Sequence, residues 1–292
     1  MLGFLRARIR GAVATAFGPG AEVGLHVLYH RTLRAAGLFG VPEPKPVIEA
    51  LDFVVRTASS VVDAGANIGR YSWFFATRAK KDARIYAFEP NPAAFRLLEA
   101  NLERRPVVRL FNCALGARTE TAYLNVPTDG RNNPVTALGW VSNRKEAGSE
   151  SNRNAVVQET TVCTLDAAIA RGDVSLRRPL FFKIDVEGGE MDVLSGAAAT
   201  IEKWRPLIYF ECEQRHLTRS RRDWRPIWSY FAAAGYAIFA ASEAGFTVAH
   251  ALNAETNAYF AVPGNDADDP ASPLAAPTFI AMLRRHWTAV PA

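Results

Sequence analysis

Five acidic residues sit where a parallel α/β sheet would present them to a ligand: Asp63, Glu89, Asp185, Glu187 and Glu211. Asp63 lies near the end of the apolar run Ser60–Ala64, directly before the glycine turn at 65–69 (GANIG). Glu89 follows a second apolar run, Arg84–Phe88. An acid in that second position can take hydrogen bonds from both ribose hydroxyls of a nucleotide-type cofactor. A dinucleotide needs bare backbone N–H groups for its pyrophosphate, which favours G-x-G-x-x-G. Here the middle glycine is missing, and Asp63 would meet the pyrophosphate with like charge. The same acid suits S-adenosylmethionine, which carries an ammonium and a cationic sulfur. Gly65 is expected to let the backbone pass close to that ligand, and Gly69 to open the next helix. The plainer readings are that Asp63 caps the helix and that Glu89, before Pro90, is a solvated turn residue.

The run 181–190 (FFKIDVEGGE) alternates, with Phe182, Ile184 and Val186 on one strand face and Lys183, Asp185 and Glu187 on the other. Charges on a central strand are costly unless paired. Either Lys183 holds the strand end through an ion pair with Asp185 or Glu187, or the group forms a polar floor that orients an acceptor and takes its proton. Glu211 ends the next strand and reaches the same edge. Methyl transfer from a sulfonium is an in-line displacement, to which a protein adds positioning and a base for the acceptor hydroxyl. Asp185, Glu187, Glu211 and Lys183 are therefore the candidate catalytic residues. His216 falls in the following loop, where it is either a surface residue or a base. No metal is expected, although Asp185 and neighbouring acids offer oxygen ligands for Mg²⁺.

These residues need a doubly wound, mostly parallel sheet behind them, and strands alternate with helices at the rhythm of one. Strands are expected at Ser60–Ala64, Arg84–Phe88, 107–114, 180–186 and Leu207–Glu211, with an antiparallel final pair at 236–241 and 257–262. Helices are expected at 47–58, after Gly69, at Pro92–Leu102, at 190–203, before Gly235 and at 278–287. Residues 1–45 read as an N-terminal helical extension and linker ending in the proline-rich VPEPKP. Residues 46–263 read as the main domain, and 264–292 as a tail whose acidic stretch 265–273 is a loose connection. Within the domain, 119–164 is a long polar insertion containing DGRNNP and the Ser/Asn/Glu-rich 142–154. A loop this long is usually functional or disordered, and its place before the fourth strand suggests a hairpin or lid over the cofactor mouth.

The 292 residues are 49% apolar, enough for one large α/β domain with additions at its ends. Three cysteines without metal-ligand spacing argue against a disulfide framework or zinc site, and make the cytoplasm the default compartment. No apolar run reaches the ~18 residues of a spanning helix. Residues 1–17 mix apolar residues with Arg6, Arg8 and Arg10, and lack the apolar core of a signal peptide. They form either a helix packed on the domain or an amphipathic helix making weak contact with an anionic membrane surface. The net charge of +5 is modest for a nucleic-acid binder. The basic cluster at 215–225 is either a solvated helix face or a patch favouring an anionic substrate.

The runs DAGANIGRYS (63–72), FEPNP (88–92), NCALG (112–116), TLD (164–166), KIDVEG (183–188) and NAYFAVP (257–263) together resemble the FkbM-type methyltransferases. The resemblance spans about residues 43–263. It implies a Rossmann-like class I methyltransferase fold, a seven-stranded sheet with an antiparallel last strand. It also implies S-adenosylmethionine as cofactor, contacted by Asp63, Gly65, Asn67, Gly69 and Glu89, with Asn112, Cys113 and Ala114 beside the adenine. Along the same motifs the contacts extend to Ala66, Tyr71, Ser72, Pro90, Asn91 and Asp185. Members methylate hydroxyls of sugars, glycolipids or polyketides in bacterial biosynthesis, so the implied partner is a small-molecule or carbohydrate acceptor. Gly189 stands where an alanine is more usual. The rival readings are a nucleic-acid methyltransferase, for which the N/D-P-P-Y/F motif is absent, a non-catalytic cofactor-binding scaffold, and an NAD-dependent oxidoreductase.

Overall fold

The computed structural model describes residues 19–128, 139–142, 155–264 and 276–287, apart from the side chains of 19–25 and 286. Helices α1 (Pro19–Ala35) and α2 (Lys45–Thr57) precede strand β1 (Ser60–Ala64). Helix α3 (Arg70–Arg78), strand β2 (Arg84–Phe88), helix α4 (Pro92–Leu102) and strand β3 (Val108–Phe111) follow. Strands β4 (Ala114–Leu115), β5 (Glu120–Pro127), β6 (Trp140–Ser142) and β7 (Ala155–Cys163) form a separate sheet, ordered β4-β7-β5-β6. Beyond helix α5 (Leu165–Ala170) come β8 (Leu180–Ile184), α6 (Glu190–Gly196), α7 (Ala198–Trp204), β9 (Leu207–Glu211), α8 (Gln214–Ser220) and α9 (Arg225–Ala233). Strands β10 (Tyr236–Ser242), β11 (Gly245–Val248) and β12 (Ala258–Pro263) and helix α10 (Ala276–His286) complete the order.

The main sheet runs β11-β10-β12-β9-β8-β1-β2-β3. Its strands from β9 to β3 pair in parallel, and β12 lies antiparallel between β9 and β10. Parallel strands covered on both faces read as continuous apolar runs, and β1, β8 and most of β9 are buried throughout. Successive residues feed opposite layers. Val62, Phe182 and Ile208 pack with Leu194, Ile227 and Phe231 on one face; Val61, Phe181 and Leu207 pack with Val54, Phe75 and Leu283 on the other.

The class I arrangement is as expected, but the sheet has eight strands rather than seven. The eighth, β11, is hairpinned on β10 with Ser242 opposite Gly245. Its connection, Glu243–Ala244, has none of the Asn-Gly chemistry that marks a tight hairpin in sequence. The third strand stops at Phe111, and Ala114–Leu115 pairs with β7 instead. The insertion is a second sheet whose β5 and β7 pair over their whole length. Residues 129–134 and most of 142–154, like 1–17 and 265–273, lie outside the described residues.

The helix expected at 190–203 is two helices. Asp166 accounts for the break: its carboxylate accepts from the N–H groups of Ala199 at 3.0 Å and Thr200 at 2.9 Å, which gives α7 an N-terminus of its own. Thr164 meanwhile caps its own helix through Ala167 N–H at 3.0 Å. Helix α1 is not a detached extension. Its buried His30 lies 3.1 Å from Asn101 of α4, and Asn101 donates to Ile68 O at 2.7 Å, tying α1 to the glycine turn. Burial, with His26, Arg34 and Arg70 nearby, lowers His30 to about 4, so its ring is neutral. At the other end, Trp287 donates to Leu180 O at 3.1 Å. Among the described residues, no helix is long and apolar enough to cross a membrane.

Candidate active site

A cavity of about 1380 Å³ opens where the loops after β1, β2, β8 and β9 converge at the carboxyl edge of the sheet. The second sheet supplies Leu124, Trp140 and Val162 to its wall, so the described part of the insertion does border the cavity. Helix α1 supplies His26, Tyr29, His30 and Leu33, which the sequence reading missed. Their spacing of three and four residues is the signature of one helix face, and was the available signal.

The turn after β1 is shaped by the strand beside it. Gly65 has φ +75°, and a Cβ there would come within 1.8 Å of Asp185 O. Glycine is thus required at this position by the close approach of the neighbouring backbone. Gly69, at φ +89°, opens α3 as expected.

Asp63 and Lys183 face each other in the β1–β8 register, so their proximity follows from strand pairing. Lys183 Nζ lies 3.1 Å from Asp63 Oδ1 and 3.2 Å from Asp185 Oδ2, and donates to Gly65 O at 2.9 Å. Asp63 is 0% exposed, and its other oxygen accepts from Ser72 at 2.6 Å. The acid expected to meet the cofactor is therefore held behind the cavity wall by Lys183 and Ser72. Burial opposes the charge on Lys183, but the Asp185 and Asp63 carboxylates outweigh it and hold the ammonium above its ordinary range. Lys183 thus ties the glycine turn, Asp63 and Asp185 together at the sheet edge.

Glu89 is buried at the end of β2. One oxygen accepts from Asn67 N–H at 2.7 Å and the other from Asn91 N–H at 2.8 Å. Burial pushes its carboxyl up to about 7, against the two backbone donors, which favour the ionised form. Each oxygen keeps a lone pair for a further donor. Asn67 itself sits at φ +50°.

Of the expected cofactor residues, Gly65, Ala66, Asn67, Tyr71, Glu89, Pro90, Asn91, Ala114 and Asp185 line the cavity. Asp63, Gly69, Ser72, Asn112 and Cys113 are not among its lining residues. Asn112 donates to Glu89 O at 2.8 Å, and Cys113 Sγ lies 3.4 Å from Cys163 Sγ. All four candidate catalytic residues line the cavity, though not as one face of one strand. Strand β8 ends at Ile184, and Glu187 sits at φ +60°. Glu187 therefore turns away from Lys183. Its carboxylate lies 3.1 Å from Arg219 and 3.0 Å from His216 Nε2. His216 is a buried residue of α8, not a loop residue.

Asp185 and Glu211 share a hydrogen bond, and the pair divides its charge unequally. Burial opposes ionisation of Asp185, but Lys183 and the Glu211 carboxyl hold it below the usual carboxylate range. Burial and the Asp185 charge drive Glu211 well above that range. At neutral pH Asp185 is an anion and Glu211 a proton donor, so Glu211 is not a ready base. Asn257 donates to both Glu211 and Glu213, which gives the NAYFAVP run a role at the site. Another contributor missed in the sequence is Glu43, from the proline-rich linker, which accepts from Tyr71 OH.

The basic cluster is mostly paired. Arg215, Arg219, Arg222 and Arg225 meet Glu213, Glu187, Asp192 and Asp223. Arg221 lines the cavity with no carboxylate beside it among the described residues.

Residues 63–238 match the Methyltransferase FkbM domain. Methyltransferase 1 of Beauveria bassiana is 33% identical over 145 residues, covering 47% of this chain and 58% of that protein. Methyltransferase sdnD of Sordaria araneosa is 28% identical over 200 residues, 57% of this chain and 77% of its own. Hexuronic acid methyltransferase AglP of Haloferax volcanii is 26% identical over 142 residues, 48% of this chain and 50% of its own. Among solved structures, Methyltransferase FkbM from Methylobacillus flagellatus KT aligns with TM-score 0.44 and 17% identity, over 70% of this chain and 43% of that one. Several of these matches span only about half the length of the relative. The domain match runs from Asp63 through both acid-bearing loops to β10 and takes in most of the cavity's polar floor, and on that ground the chain belongs to the FkbM methyltransferase family.

Proposed function

We propose that this protein is an S-adenosylmethionine-dependent O-methyltransferase acting on a hydroxyl of a sugar, glycolipid or other small biosynthetic metabolite. The observation that carries the reading is one cavity lined both by Glu89, with a free lone pair on each oxygen, and by the Asp185 anion. The residues fit the cofactor: a buried carboxylate suits a ribose diol, and the anion at Asp185 suits a sulfonium. Bound there, S-adenosylmethionine supplies an electrophilic methyl group. The chain holds the acceptor hydroxyl in line and removes its proton. A hydroxyl that gains a methyl becomes a strong acid, so even a carboxylate of lowered basicity suffices to take the proton. Asp185 is assigned that role, Glu211 orients it by hydrogen bond, and Lys183 keeps it ionised. The carbohydrate part of the reading draws support from the archaeal relative, whose name specifies a hexuronic acid.

Calorimetry with S-adenosylhomocysteine and NAD(H), followed by transfer of label from S-adenosylmethionine to a panel of sugars and glycolipids, tests this directly. Micromolar binding of the sulfur cofactor and label transfer abolished by Asp185→Asn are expected. Binding of NAD(H) in its place would overturn the reading. Cofactor binding with label transfer indifferent to Asp185→Asn would remove Asp185 from its role.

A further inference from the structure

Resting on the methyl-transfer reading, we infer that the acceptor carries an anionic group, a carboxylate or a phosphate, seated by Arg221 with Trp140 in the cavity that Asp185 also lines. On the acceptor half of the cavity, most charges pair off. Lys183 is matched by Asp63 and Asp185, Glu187 by Arg219, and Asp192 by Arg222. Four lining arginines, Arg70, Arg96, Arg118 and Arg221, have no carboxylate partner among the described residues. The first three follow β1, β2 and β3, on the half of the cavity assigned to the cofactor. The carboxylate of the cofactor's amino-acid end belongs to that half. Arg221 follows β9, on the opposite half, and has no such partner in view.

Its position is set by close packing. Helix α8 lies directly on the turn that carries Glu187, and a Cβ on Gly188 would come within 2.8 Å of Ser220 Oγ and 2.9 Å of His216 O. Ser220, Arg221 and Arg222 thereby reach the same cavity as Asp185 and Gly189. Arg221 adopts φ +54° as the C-cap of α8, a conformation that favours glycine. The chain places a long cation where a residue without a side chain would be less strained.

A second observation points to a ligand. Trp140 lines the cavity and is 2% exposed, yet its indole Nε1 has no acceptor among the described residues. A buried donor left unmatched is costly, and a ligand oxygen would satisfy it. The Arg219 guanidinium, 4.4 Å from the ring centroid, holds that indole in place. Guanidinium groups recognise carboxylate and phosphate through paired N–H donors, which a neutral sugar cannot match.

The test is calorimetry on the full chain, with and without S-adenosylhomocysteine, at constant ionic strength. The probes are glucuronate, glucose 6-phosphate, inorganic phosphate and glucose. At least one charged probe is expected to bind roughly tenfold or more tightly than glucose. Arg221→Gly suits the backbone conformation and removes the side chain with its guanidinium, so the fold is retained. It is expected to weaken the charged probe about tenfold and to leave S-adenosylhomocysteine unaffected. Trp140→Phe keeps an aromatic ring for Arg219, deletes the indole donor and is expected to weaken the same probe. A preference for glucuronate identifies a carboxylate, and a preference for either phosphate probe identifies a phosphate. Glucose binding as tightly as the charged probes, no charged probe binding at all, or affinity unchanged in Arg221→Gly would each overturn the proposal. Failure of the wild type to bind S-adenosylhomocysteine would instead sink the methyl-transfer reading, and the titrations without it would still read the arginine site.

Discussion

The two walls of the cavity are built by opposite means. On the cofactor side, Glu89 is held by backbone: its oxygens accept from the N–H groups of Asn67 and Asn91, one in the turn after β1 and one in its own loop. On the acceptor side, the ionisable groups are held by other side chains, most of them from distant segments. Asp185 depends on Lys183, Glu187 on Arg219, Glu211 on Asn257 and Asp192 on Arg222. Backbone donors are present whatever the side chains are, so the first wall tolerates substitution around it. The second wall is a lattice of mutual dependences, in which one change alters the charge of its neighbour. That difference suits a site where the cofactor is constant and the acceptor is not.

The largest effect should come from the contact where the two walls meet. Lys183→Ala leaves the buried Asp63 and the half-buried Asp185 without their shared cation, and should cost about 3–5 kcal/mol, read by chemical denaturation. A loss below about 1 kcal/mol would mean that one of the two acids becomes protonated at little cost, and would blur the distinction between the walls.

Glu190 opens α6 behind the acceptor wall, accepts from Gly188 N–H at 2.9 Å, and is pushed up to about 7 by burial. Its folded pKa exceeds the unfolded value, so the folded state binds more protons between pH 4.5 and 7. Its stabilising effect is complete below the unfolded pKa and is lost as pH rises through about 7. Replacing it with a neutral isostere, Glu190→Gln, should flatten this part of the stability–pH curve and leave the variant up to ~3 kcal/mol more stable than wild type at pH 8. Parallel curves for the two proteins would refute the assignment.

Glu89→Gln probes the backbone-held wall. S-adenosylhomocysteine affinity should fall about 10- to 100-fold, the loss of roughly one charge-assisted hydrogen bond. In the wild type the affinity should rise as pH increases through about 7, because only the ionised carboxylate accepts from both hydroxyls. A flat profile in the wild type would show that the ribose is held elsewhere.

The smallest expected effect is a gain. Arg221→Gly relieves a left-handed backbone position and should raise stability by about 0.5–1 kcal/mol, measured as a shift in thermal midpoint. Destabilisation would reveal a structural partner for the arginine and weaken its assignment to a ligand.

How far the sequence could be read differs between the same two walls. The glycine turn, both acid-ended strands and the βαβ rhythm were legible because they are set by neighbours in the chain, through strand period, turn conformation and helix start. Glu89 was therefore placed correctly at the cavity. Asp63 lies on the strand its sequence predicts, but its partner Lys183 is 120 residues away and only the β1–β8 register brings them together. Glu187 was assigned by strand alternation to the face of Lys183, and the chain leaves the strand before reaching it. The hairpin strand β11 escaped for a related reason: its two-residue turn carries no local signal of its own, whereas the cavity face of α1 is marked only by its three- and four-residue spacing.

The sequence by itself determined the class of the sheet, the two loops that carry acids to its carboxyl edge, and the family to which they belong. These are local patterns whose geometry follows from backbone sterics within a few residues. Only the tertiary structure decided which acid is charged, which is a proton donor, and which arginines have no carboxylate partner among the described residues. Those properties arise from burial and from pairing between segments far apart in the chain, and Coulomb interactions depend on distance in space rather than distance along the sequence.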